Sequence, residues 1–142
     1  MAEPTERQRE NLETTQAAFA RFRPDNLDAT LEWAHPEIET HISPKLANAG
    51  DYHGHEGFFA SAGRWIETFD DYEIEVLGLD PIGERHVVAR CHQSGTGRGS
   101  GVPVEMDIAY LVELRDGKFA ALRLYATPEE AIEVGREREG IG

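Results

Sequence analysis

The feature that most constrains this chain is a two-residue alternation over residues 102–114. Val102, Val104, Met106, Ile108, Tyr110, Val112 and Leu114 fall on one face, and Pro103, Glu105, Asp107, Ala109, Leu111, Glu113 and Arg115 on the other. Successive side chains of a strand point to opposite faces, so this run reads as one long strand with an apolar side. Asp116-Gly117 follows directly, and Asp-Gly favours a tight hairpin turn. Phe119 to Ala126 is then the returning strand. Two strands alone are barely stable in water, so the apolar side needs a cover.

The first half of the chain supplies it. Leu12, Thr15, Phe19 and Phe22 form one stripe of a helix over Thr5–Phe22, which Pro24 ends. Asn26 is placed to cap a short second helix, Leu27–Trp33, and Glu37–Ile42 reads as a short strand. Residues 43–51 read as a loop, and 52–54 as a turn or brief strand. A third helix over about Glu56–Thr68 carries Phe58, Phe59, Ala62, Trp65 and Ile66 on a broad apolar face. The period then returns to two at Glu73–Val76 and His86–Ser94. A short helix over Pro128–Gly135 closes the chain, with residues 1–4 and 136–142 expected as frayed tails.

Helices followed by a run of long antiparallel strands imply an α+β fold. The length of 142 residues fits one domain, 1–142. A strongly curved, mainly antiparallel sheet wrapped on the three N-terminal helices would form a cone-shaped barrel with a cavity at its open end. The net charge of −13 disfavours nucleic acid and anionic membrane surfaces as partners, since both demand clustered Lys and Arg. Cys91 is the only cysteine, so no disulfide forms within the chain. No stretch approaches the roughly 20 apolar residues of a membrane span, and no signal-peptide core is visible, so a cytoplasmic protein is expected.

Three motifs invite chemistry and fail on context. Gly95–Gly101 is glycine-rich, but a phosphate loop opens onto a helix and this one runs into a strand. His53 and His55 lack the further ligands that zinc requires, so no metal is expected. Cys91 has His92 as a sequence neighbour, but adjacent strand residues face opposite ways.

The residues also resemble a known family. Phe19–Phe22 followed by Asp25–Ala29, Trp33-Ala34-His35-Pro36-Glu37-Ile38, Tyr52-His53-Gly54-His55-Glu56-Gly57, the Trp65 to Glu73 region, Leu114-Arg115-Asp116-Gly117-Lys118 and Tyr125 with Glu130-Ala131 occur in the order and spacing of SnoaL-like domains. These lie in the nuclear transport factor 2-like superfamily, beside polyketide cyclases and ketosteroid isomerases. The resemblance implies the cone fold, homodimers and no cofactor. In the isomerase pattern the first strand ends in a carboxylate base, and an ungapped count from Trp33-Ala34 puts His41 there. An imidazole can accept protons near neutral pH. Glu39, on the same strand face, could orient it. Tyr110 stands where the pattern has an oxyanion-hole Asp, and could donate to a developing enolate. The isomerase's own helix-one Tyr is represented by Phe19 or Ala18.

The expected ligand site thus combines His41 and Tyr110 as catalytic residues with Phe19, Phe58, Trp65, Val112 and Arg123 as binding residues. Arg123 would bind a ligand anion if its face looks inward, and surface acids if outward. Arg90 and His92 pose the same question. The expected partner is a small apolar, oxygenated molecule. The protein would be a cofactor-free isomerase or cyclase, a ligand binder without turnover, or an interaction module with a filled cavity. The face with Ala109 and Leu111 between Glu105, Asp107, Glu113 and Arg115 suits a dimer interface.

Overall fold

The computed structural model describes residues 3–46 and 49–141. Helix α1, Glu6–Ala20, opens with a capping box, in which the Thr5 side chain accepts from the Gln8 amide and the Gln8 side chain accepts from the Thr5 amide. A 3-10 turn over Leu27–Glu32 leads into strand β1, Ala34–Ile42. Strand β2 is Gly50–His53 and helix α2 is Gly54–Glu67. Strands β3 (Phe69–Ile82), β4 (His86–Gly97), β5 (Pro103–Arg115) and β6 (Lys118–Tyr125) follow, then helix α3, Pro128–Arg138. The order is the α+β order expected. Part of the expected 43–51 loop, residues 47 and 48, lies outside the described residues, as do residues 1, 2 and 142 of the expected tails.

The six strands form one sheet in the order β2-β1-β6-β5-β4-β3. Only β1 and β6 run parallel; every other neighbouring pair is antiparallel. The sheet does not close, and it curves around α1 and α2. The Asp116-Gly117 turn joins Arg115 to Lys118, with φ of 55° and 73° at its two central residues. Both values are left-handed, as a type I′ hairpin requires.

Parity decides what fills the inside. On β5, Ile108, Val112 and Leu114 are buried on the inner face together with Val87, Phe119 and Leu122 of the adjacent strands. Ala18 of α1 and Phe58 of α2 pack onto the same layer. On the outer face, α3 lies across Val88, Ala109 and Leu111 through Ala131, Ile132 and Val134. Ala109 and Leu111 are 0% exposed. The apolar centre expected to serve a dimer is therefore already covered by the chain's own last helix. Covering Leu111 is worth roughly 1.5–3 kcal/mol, which is why the amphipathic α3 settles there.

Helix α3 also continues three residues beyond the expected end at Gly135. Gly135 is a packing residue, since a Cβ there would lie 3.0 Å from Leu111 Cδ1 and 3.3 Å from Ile82 Cγ2. The tail after it is tied down by Glu139, which accepts from the Arg85 amide and bonds the His86 ring. No helix among the described residues is long and apolar enough to cross a membrane.

Candidate functional site

Between the two N-terminal helices and the inner face of the sheet lies a cavity. Its walls are Ala18 and Phe19 of α1, Phe22 and Trp33 beyond it, and Phe58, Ser61, Ala62, Trp65 and Ile66 of α2. The sheet contributes Thr40 and Ile42 of β1, Tyr72 and Ile74 of β3, Gln93 of β4, Met106, Ile108 and Tyr110 of β5, and Phe119, Leu122 and Leu124 of β6. About 90 Å³ is open to the centre of a water molecule. One water needs about 10–15 Å³ on that measure, so the space suits several waters or a flat molecule of about one or two rings.

Aromatic contacts fix the walls. Phe19 meets Tyr110 edge-on with ring centroids 5.4 Å apart, and Trp33 leans on Phe119 at 4.7 Å. Trp65 meets Phe69 edge-on at 5.0 Å. Local backbone detail brings Tyr72 to the same place. Between the pairs Asp70–Thr96 and Glu73–Ser94, Asp71 and Tyr72 oppose Gly95 alone. This is a β-bulge, and Asp71 takes φ of 55° within it. The extra residue lets Phe69 and Tyr72 both turn inward, and their rings pack 5.9 Å apart.

Polar groups on the walls are few. The Trp65 indole N–H donates to Gln93 Oε1 at 2.8 Å, and the Tyr72 hydroxyl donates to the same oxygen. Gln93 Nε2, the Thr40 hydroxyl and the Trp33 indole nitrogen are buried without partners. Burial pushes the Tyr72 hydroxyl up, and the Tyr110 hydroxyl well up, so both phenols stay protonated at neutral pH. Cys91, buried behind this wall, is pushed up to about 12 by the same cause and is a small packing residue. Among the described lining residues there is no carboxylate, imidazole, ammonium or guanidinium.

Four of the expected site residues, Tyr110, Phe19, Phe58 and Trp65, do line the cavity. Val112 does not; it is wholly buried one layer away in the core. His41 stands on the opposite face of β1. Burying Ile38, Thr40 and Ile42 on the inner side throws Glu37, Glu39 and His41 outward. There His41 Nδ1 lies 2.7 Å from Asp51 Oδ1 and Nε2 lies 3.8 Å from Glu39 Oε2. Glu39 does approach the ring, but away from the cavity. Counting the strand's buried isoleucines, in place of an ungapped match, gives this parity from sequence.

Arg123 is also on the outer face. It is 6% exposed and donates to Glu113 Oε1 at 3.2 Å, so it serves a charge cluster and not the cavity. Arg90 pairs with Asp80, and His92 sits between Asp107 and Glu105, which raise its pKa. His53 meets Glu37, while His55 meets the Ala34 carbonyl, so the two rings diverge. No group of three metal-ligating side chains occurs among the described residues. Gln93, Thr40, Trp33 and Tyr72 escaped the sequence reading. The available signal was polarity out of place, with Gln93 following Val87, Ala89 and Cys91 on a buried face.

Residues 15–122 match the model of the SnoaL-like domain. No curated protein sequence matches the chain. Solved structures share the fold at low identity. A candidate SnoaL-like polyketide cyclase from Jannaschia sp. CCS1 is 19% identical with a TM-score of 0.76, over 88% of this chain and 90% of that one. TerC, crystallised with polyporic acid, is 21% identical with a TM-score of 0.70, over 87% and 98%. A protein of ketosteroid isomerase-like fold from Catenulispora acidiphila DSM 44928, in complex with trimethylamine, is 15% identical with a TM-score of 0.63, over 80% and 82%. With more than half of its length matched by the family model and the cone fold in place, the chain belongs to the SnoaL-like domain family.

Proposed function

We propose that the protein binds a small, apolar, oxygenated ring compound in the cone cavity and holds it without acid–base turnover. The observation that carries this reading is the wall chemistry: aromatic and aliphatic side chains, a few neutral polar groups and, among the described residues, no ionisable side chain beyond two buried phenols. Ligand sites are mostly apolar with a small number of placed polar groups, and this cavity has that make-up. A proton-transfer enzyme needs a base within hydrogen-bond reach of its substrate. His41, the residue expected in that role, faces the other side of β1. TerC, a structural neighbour, was crystallised with the small molecule polyporic acid, which supports the small-ligand reading by analogy of fold.

Calorimetric titration with indane, a bicyclic hydrocarbon, tests the cavity itself. Saturable binding of one molecule per chain is expected. Ala62→Phe places a ring in the space beside Trp65 and should weaken binding at least about tenfold, because overpacking removes the room for a guest. Equal binding by the variant, or none by either protein, would contradict the proposal.

A further inference from the structure

A second concavity adjoins the cone cavity. Ile66 of α2 and Tyr72 of β3 line both. The remaining walls of the second one are mostly charged, with Asp25, Glu67, Asp70, Asp71 and Arg98. It is an open groove, with about 530 Å³ available to the centre of a water molecule. Its acids sit beside the cavity's own lining in the chain. Asp25 follows Phe22 by three residues, Glu67 follows Ile66, and Asp71 precedes Tyr72. The β-bulge accounts for the last pair, since Tyr72 turns into the cone while Asp71, at φ of 55°, lines the groove.

The groove's charge is not balanced from within. Arg98 is its only cation among the described lining residues, and that guanidinium is engaged. Nε lies 3.3 Å from Asp70 Oδ1, and Nη2 donates to the Phe69 carbonyl at 3.2 Å. Asp25, Glu67 and Asp71 are exposed and have no ion pair among the described residues. A concavity with three uncompensated carboxylates, in a chain of net charge −13, draws cations and repels anions. A bare metal ion does not fit, because no three metal-ligating side chains come together among the described residues. An ammonium needs no fixed coordination sphere and gains from carboxylates at longer range. The adjoining cone makes the opposite demand, for an apolar body, so a guest that spans both carries a ring at one end and a cation at the other.

We propose that the groove is a cation subsite, which takes the ammonium end of an arylalkyl amine whose ring lies in the cone. This rests on the cavity-binding reading above and adds a charged end to the guest. The ammonium keeps part of its hydration in the open groove, so no charge has to enter the apolar cone. A carboxylate on the same arm meets three like charges. Exposed ion pairs are individually weak and screened by salt, so Asp25, Glu67 and Asp71 act together and their effect falls as salt rises.

The test compares 2-phenylethylamine, 2-phenylethanol and 3-phenylpropionate by calorimetry at neutral pH and low salt. These share a ring and a two-carbon arm and differ in charge. The wild-type protein should bind the amine roughly tenfold tighter than the alcohol, and the carboxylate more weakly than either. Salt at about 0.5 M should remove most of the amine's advantage and leave the alcohol unchanged. The triple variant Asp25→Asn, Glu67→Gln, Asp71→Asn should lose the preference and keep alcohol binding, since asparagine accepts the left-handed backbone at 71 as aspartate does. Neutralising Glu129, Glu133 and Glu137 to glutamine, on α3 across the sheet, removes the same charge and should keep the preference. Ala62→Phe should weaken the amine as it weakens indane. Equal affinity for amine and alcohol, or no binding of either while indane still binds, overturns the inference and leaves the cavity reading standing. No binding of any compound, indane included, overturns both. A preference that survives the groove variant, disappears in the α3 variant or ignores Ala62→Phe also overturns the inference, since the attraction would then belong to the surface at large. Should the groove variant not fold, Glu67→Gln alone decides, with a reduced preference expected and an undiminished one counting against it.

Discussion

Glu113, on the far side of β5 from the cavity, is the centre of a charge cluster. His86, 1% exposed, lies between two carboxylates: Nδ1 bonds Glu139, and Nε2 stands 3.5 Å from Glu113 Oε1. Arg123 donates to the same Glu113 oxygen at 3.2 Å, and Arg138 approaches it at 3.7 Å. His86 and then Arg123 hold the Glu113 carboxyl down to about 2, against the desolvation that would raise it. Its folded pKa is below its unfolded one, so the stabilisation is complete above the ordinary glutamate range and fades as pH falls towards about 2. Glu139 is shifted in the same direction. Urea unfolding at neutral pH and near pH 2.5 should differ through Glu113 by on the order of 2 kcal/mol, and Glu113→Gln should remove that part of the slope. An unchanged acid profile in Glu113→Gln would show that the cluster does not report on folding. The same residue scale exposes the limit of sequence matching. Tyr110, Phe19, Phe58 and Trp65 were legible because apolar parity and helical spacing place them. His41 was misplaced by one position, and in a strand one position is the whole difference between inside and outside.

At the scale of elements, β5 and its Asp116-Gly117 turn were readable because their signals are local, with alternation over one strand and turn chemistry in two residues. What α3 covers was not readable, since an amphipathic helix does not say which face it will seek. Its position on Val88, Ala109 and Leu111 is locked by Glu139, one residue past its end, which reaches the Arg85 amide and His86. Glu139→Ala should cost about 1–3 kcal/mol in chemical unfolding, because it strips a buried imidazole and a backbone N–H of their acceptor. A loss near zero would mean that the apolar contacts alone hold the helix. The Trp65–Gln93–Tyr72 arrangement was equally hidden. It joins the end of α2, the bulge of β3 and the middle of β4, and no local pattern announces a meeting of three elements.

Across the whole molecule, charge is kept off the cavity wall. In a chain of net charge −13, the described lining residues are rings, aliphatic groups and neutral polar groups, while His41, His92 and Arg123 stand on the other face of the sheet. The order of helices before strands made the cone legible in sequence, since it leaves the sheet's inner face to be filled by the first half of the chain. The outer face holds the residues whose placement differs from the sequence expectation. It holds the expected base, His41, the expected anion-binding Arg123, and the Ala109–Leu111 patch that α3 conceals. The account's central claim is that ligand enters the inner side. The most direct test is a proton–nitrogen NMR titration with indane, whose ring current shifts nearby signals, that follows side-chain signals on both faces. The account expects saturable shifts of the Gln93 amide and the Trp33 indole, with the rings of His41 and His92 unmoved. Shifts confined to His41 and the Glu39–Asp51 side of β1, with the Gln93 and Trp33 signals unchanged, would contradict it.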